Sequence, residues 1–184
     1  MKRLPGVIKL LLIVWGALTL AAAIGLTAFL AFKLGPGNAP KIDKASPDDV
    51  RFVLNWCELG DHRIERMVHS YESARSITGD HLDVYAIKIK EVELAELTKK
   101  RNPSGREWFR GDQPNAVLDD AVSFVSGFMI LDAVAWFPIL DQLRSGSIYI
   151  YPWQIILNGT RVRSAQIIFV NPADKMVYYV SAAS

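Results

Sequence analysis

Three histidines, His62, His69 and His81, fall within 20 residues of one another, and Cys57, Asp61, Glu65, Asp80 and Asp83 lie close by. Imidazole, thiolate and carboxylate are the usual zinc ligands. The spacing argues against a metal centre. His62 and His69 are seven positions apart, two turns along a helix face, which is too far for one ion without a further ligand between them. A His-Glu-x-x-His arrangement, which sets two ligands one turn apart, is absent. The histidines therefore read as surface or hydrogen-bonded groups near a hairpin, and no metal is expected.

Thr78-Gly79-Asp80-His81 would set a carboxylate beside an imidazole, the pairing that orients a general base. No Gly-x-Ser-x-Gly elbow supplies a nucleophile for that base, and turn chemistry alone explains Gly followed by Asp. A hydrolytic or metal-dependent enzyme in the His62/His69/Asp80/His81 region is thus an alternative reading, with His69, Asp80 and His81 as its candidate catalytic residues. The lone Cys57 cannot close an intramolecular disulfide, and it sits in the apolar stripe Val50, Val53, Leu54. A thiol there is expected to be a packed, inert group. Asp119-Asp120 would complement the dipole of a following apolar helix. Asn158-Gly159-Thr160 matches a glycosylation acceptor but is fully explained as a hairpin turn. No phosphate-binding or dinucleotide glycine loop is present, and no cofactor is expected.

Elements must position these residues. At 184 residues the chain has room for one domain and an attachment. The first 32 residues carry Lys2, Arg3 and Lys9 and no acid, which leaves 18 basic against 19 acidic side chains in the rest. A nucleic-acid binder would show a basic face, so that class is excluded. From Leu10 to Phe32, 23 residues pass without a charge. About 20 suffice to cross a bilayer, and a helix there would satisfy its own backbone in lipid. The run is too long for the apolar core of a cleaved signal peptide, and Ala39-Pro40 suits a signal peptidase badly. Residues 10–32 are therefore expected to be a retained transmembrane helix. Residues 1–9 would form a cytoplasmic tail, 33–45 a linker and 46–184 an α+β domain outside the cytoplasm. The flanking charges are balanced, and the free amino terminus with Lys2 and Arg3 favours the N-terminus inside. In a bacterium this places the domain in the periplasm, on the inner membrane. Ala17, Ala21 and Gly25 recur every four residues, a spacing through which two such helices would pair.

Within the domain, Ser46-Pro47-Asp48-Asp49 reads as a helix start, with Ser46 as cap. His62–Ile77 fits either a helix or one arm of a hairpin about Gly79, and the hairpin is favoured. Leu82–Ile89 alternates as a strand. Glu91–Lys100 returns to helix and stops at Asn102-Pro103-Ser104-Gly105. From Ala121 to Leu140 the only charge is Asp132. That charge and Pro138 oppose a second membrane span, and a buried helix followed by a turn at Trp136-Phe137-Pro138 is expected. Three strands follow: Ser147–Ile156, with a bulge or free edge at Pro152, then Ser164–Val170 and Met176–Ser181. The sum is an antiparallel sheet of about five strands with two or three helices.

The functional reading is a membrane-anchored cell-envelope protein without chemistry of its own, an interaction module of the complex-subunit or immunity type. Its partners would be the lipid bilayer and another envelope protein. Trp108, Phe109, Trp136, Phe137 and Trp153 are the candidate binding anchors. The remaining alternative is a small-ligand binder with a pocket between the sheet and the apolar helix.

Overall fold

The structure is a computed structural model that describes residues 6–35, 38–98 and 106–184. It divides into two units, residues 1–39 and 40–184. The first contains the helix α1 (Gly6–Leu34), which includes the whole uncharged run. Its stretch Gly6–Ala31 has mean hydropathy 2.3 and is long and apolar enough to span a membrane. Ala17, Ala21 and Gly25 lie one turn apart along it.

Among the described residues, the second unit is built on one antiparallel sheet of seven strands: β1 (Lys41–Ile42), β2 (Ile64–Glu72), β3 (His81–Ile89), β4 (Phe109–Arg110), β5 (Tyr149–Asn158), β6 (Arg161–Asn171) and β7 (Met176–Ala183). Their spatial order is β1-β2-β3-β7-β6-β5-β4. The expected sheet of about five strands is short by two. Both missed strands, β1 and β4, are two residues long and carry no periodicity to read. The hairpin about Gly79 forms as expected, and its first arm is a strand, not a helix: Tyr71 pairs with Val84 and Glu72 with Asp83. Asn158-Gly159 closes the β5–β6 hairpin with Gly159 at φ +63°, a left-handed conformation that favours glycine. At Pro152 the ladder slips by one residue and Trp153 bulges out, which matches the expectation that a proline there would interrupt pairing.

Alternation along the strands creates two cores. On one face, Val84, Val180, Ile167 and Phe169 pack beneath α4 (Ala116–Ser126) and α5 (Leu140–Leu143). Asn115 caps α4 by accepting from Leu118 N at 2.9 Å. Asp119 lies in the first turn of α4, as the charge pattern implied, and also accepts two hydrogen bonds from Arg144 at 2.9 Å each. The helix ends at Ser126, and irregular chain carries Trp136 and Phe137 back over the sheet. On the opposite face, Tyr85, Ile87, Val177, Tyr179 and Ile168 pack beneath α2 (Arg51–Trp56).

The start of that second cover differs from expectation. Ser46 does not cap. Its backbone N–H and hydroxyl both donate to Asp49, at 2.8 and 2.7 Å, and a 3-10 turn, Asp48–Val50, precedes α2. A short helix α3 (Leu94–Leu97) follows β3, and the expected stop at 102–105 lies outside the described residues. Arg63 grips Glu96 with two hydrogen bonds, at 2.7 and 2.9 Å, and both side chains are largely buried. Arg63→Ala should lower stability by about 1–3 kcal/mol, because the acceptor left behind loses a charged donor. Urea denaturation would measure it.

Candidate functional site

The register places chemistry-bearing residues on both faces. His69 pairs opposite Ala86, and His81 opposite Ala183. Strand alternation therefore sends the two imidazoles to opposite faces of the sheet. His69 stacks on Trp136, with ring centroids 5.1 Å apart, and its Nδ1 lies 3.5 Å from Asp43. Asp80 accepts from the Thr78 hydroxyl at 2.7 Å, within its own turn. His62 is exposed beside Gly60. His69 and Asp80 are thus not brought together, and among the described residues no three His, Cys, Asp or Glu side chains gather as metal ligands.

His81 does find a partner that the spacing did not suggest. Its Nδ1 contacts the Gly79 carbonyl at 2.9 Å, so that nitrogen must carry the proton. In the neutral imidazole Nε2 is then the acceptor, and the Ser181 hydroxyl donates to it at 2.9 Å. A serine donating to an oriented imidazole is the geometry of an activated nucleophile. Here Ser181 is 4% exposed in the middle of a strand, so the pair satisfies a buried hydroxyl rather than presenting it.

Ser181 belongs to a larger arrangement. Pairing aligns Lys41, Glu72, Asp83, Ser181, Gln166 and Gln154 in one row across six strands, on the face that α2 partly covers. Lys41 pairs with Glu72 at 3.0 Å, and the Tyr85 hydroxyl donates to the same carboxylate at 3.1 Å. Arg75, from the loop between β2 and β3, donates to Asp83 Oδ2 at 2.5 Å. Asp83 Oδ1 is buried and meets no donor among the described residues. An orphaned acceptor of this kind costs about 1–3 kcal/mol. Burial pushes the Asp83 carboxyl up, and Arg75 only partly opposes it. Burial likewise raises the Tyr85 hydroxyl and pushes Tyr179 up to about 12.

The Asp83 shift has a signed consequence. A carboxyl whose pKa is raised on folding favours the folded state most below its unfolded value, and loses that contribution as pH rises through its folded value. Relative to Asp83→Asn, the wild-type protein should therefore gain thermal stability as pH falls from neutrality through the ordinary carboxylate range. Paired melting curves against pH would show a constant difference if this is wrong.

Cys57 is buried against Leu54, and desolvation pushes its thiol up to about 12. At pH 8 only about 1 in 10,000 such thiols is ionised, so iodoacetamide should label Cys57 only after unfolding. Labelling of native protein at the rate seen in urea would contradict this.

None of the five candidate aromatic anchors is fully exposed. Phe137 is buried, packing edge-on against Phe169 and Tyr178. Trp136 donates to the Ala133 carbonyl at 3.0 Å. Trp108 tilts against Tyr151. Phe109 is half-buried at the β4 edge. Trp153 stacks on Trp56, with ring planes 3° apart, and the Arg106 guanidinium covers it at 4.0 Å.

An exposed apolar surface lies instead just beyond the C-terminal end of α4. Ile130 is 85% exposed and Ile139 63%, on either side of a groove of about 430 Å³ that Met129, Pro138 and Leu140 also line. Asp120, Asp132 and Asp141, each within three positions of a lining residue, are exposed. Sequence reasoning read this stretch as buried because it averaged over the apolar run. Its aromatic half, Trp136-Phe137, is indeed packed, while the aliphatic tips are not. The space between α4 and the sheet, where an enclosed ligand pocket would lie, is occupied by Leu118, Ala121, Val122 and Val125 against Ala165, Ile167 and Val180. No family model matches this chain, and no curated protein or solved structure matches it either.

Proposed function

We propose that this chain is a membrane-tethered, non-enzymatic interaction module whose folded domain docks another cell-envelope protein through the groove between Ile130 and Ile139. The tether is α1, oriented with its N-terminus in the cytoplasm and the domain outside. The observation that carries the docking role is the exposure of Ile130 and Ile139 in one apolar groove. A contiguous apolar patch rimmed by polar groups is the usual signature of a protein-binding surface. The rim is acidic, since Arg144 is already engaged by Asp119. This disfavours an anionic lipid surface as the occupant and favours a partner that presents apolar side chains flanked by Lys or Arg. The half-buried Trp136 then stiffens the surface rather than anchoring the partner.

The test is purification of the full-length protein from its native membrane after gentle crosslinking. Wild type should retain a stoichiometric polypeptide that Ile130→Asp with Ile139→Asp loses and that Lys90→Ala, at an exposed position outside the groove lining, keeps. A partner bound equally by all three proteins would place the interface elsewhere. A protein that always purifies alone would end the reading.

A further inference from the structure

We infer that the end of the sheet formed by the β5–β6 hairpin tip and the β2–β3 loop rests on the bilayer and binds anionic phospholipid headgroups. The inference rests on α1 as a tether and is independent of the groove. Strand register supplies the geometry. Lys41, where the chain enters the sheet, pairs with Glu72, the last residue of β2. The same row runs on through Asp83, Ser181 and Gln166 to Gln154. Antiparallel pairing therefore puts three features at one end: the chain's entry, the loop 73–80 and the Asn158-Gly159 turn. Six residues, 35–40, separate α1 from β1, a reach of at most about 20 Å. The hairpin tip stands four residues beyond the row, about 13 Å, on the side from which the chain arrives. The groove lies toward the other end. Pro138, one of its walls, also lines a cavity with Ser147, Asn171 and Asp174, beside the β6–β7 turn. Docking to lipid at the first end therefore leaves the groove open to a partner.

Apolar exposure and charge set the occupant. Ile77 in the loop is 62% exposed, and Ile156 and Leu157 beside the turn are 45% exposed each. Residues 142–173 contain no acid. At this end Lys41 is matched by Glu72 and Arg75 by Asp83. Arg161 and Arg163 then outnumber Asp80, which Thr78 holds within its own turn. Neither of these arginines meets a carboxylate among the described residues. With Asn158, Val162 and Ser184 they line an open hollow of about 230 Å³, with room for a phosphate group. A guanidinium fork matches phosphate oxygens two at a time. Aliphatic side chains flanked by arginines suit the membrane interface. The apolar atoms enter the acyl boundary there, and the cations stay with the headgroups.

The test uses the full-length protein in vesicles of phosphatidylcholine with one quarter phosphatidylglycerol, and in vesicles of phosphatidylcholine alone. A nitroxide label is attached at Leu157→Cys, at Ile77→Cys or, on the opposite turn, at Ala173→Cys. Cys57 is buried and stays unlabelled. In the anionic vesicles the labels at 157 and 77 should collide with dissolved oxygen in preference to a water-soluble nickel chelate, as a label in lipid does. The label at 173 should do the reverse. Arg161→Gln and Arg163→Gln should each lower the ratio of docked to undocked protein about fivefold, the attraction of one cation to an anionic surface. Melting temperatures equal to wild type would confirm that each variant is folded. Labels at 157 and 77 as wet as the one at 173, in protein that stays with the vesicles, would overturn the inference and leave the tether standing. Equal docking on the neutral vesicles would also overturn it. Protein that separates from both kinds of vesicle would end the tether reading and this inference with it.

Discussion

Phe169→Ala is expected to destabilise the folded domain by about 3–5 kcal/mol, the range for removing a fully packed aromatic ring. Phe169 has no exposed surface and sits on β6 between two strands of the sheet, with Phe137 meeting it edge-on at 6.0 Å. It also anchors the irregular segment that brings Trp136 back over the sheet. A domain of this size is stable by about 5–15 kcal/mol in total, so one truncation removes a large share. The melting temperature should fall by about 10 °C. Ile156→Ala, on an exposed stretch of β5, should leave it nearly unchanged. Equal effects from the two would contradict the assigned core.

Deleting Gly6–Leu34 should move the protein almost completely from the membrane pellet to the supernatant after an alkaline carbonate wash. The full chain should stay in the pellet, because about 20 apolar residues in a helix bind a bilayer too strongly for such a wash to remove. The outward-facing surface of α1 is apolar along its length, with Leu11, Val14, Leu18 and Ile24 all exposed. Mature protein whose first residue falls after Ala31 would show that α1 is a cleaved leader and would contradict the tether.

How far the sequence foretold this arrangement depended on the length of each signal. The 23-residue uncharged run, the Asn158-Gly159 turn and the alternating Leu82–Ile89 and Met176–Ser181 segments were legible because pattern and turn chemistry agreed over many residues. The β2 arm was harder. Its two register slips, between Ile64 and Arg66 and between Met67 and His69, break the two-residue period, so Ile64, Met67, Val68 and Tyr71 mimic a helix face. The same bulges, with Glu65 and Arg66, blunt an edge that β1 covers over only two residues.

The polar row was not legible at all. Glu72, Asp83, Gln154, Gln166 and Ser181 are spread over more than 100 positions, and only the strand register aligns them. One hint was available: Ser181 interrupts an otherwise apolar terminal strand, and a buried hydroxyl there needs a partner. The groove was missed for a different reason. Apolar composition from Ala121 to Leu140 gave no means of separating Phe137, which packs, from Ile130, which does not.

The most direct measurement is photo-crosslinking from a benzophenone side chain placed at position 130 of the full-length protein in its native membrane. The account predicts one discrete crosslinked polypeptide, absent when the same group replaces Lys90 on the exposed turn after β3. Crosslinks to lipid alone, to no protein, or to the same species from both positions would contradict it.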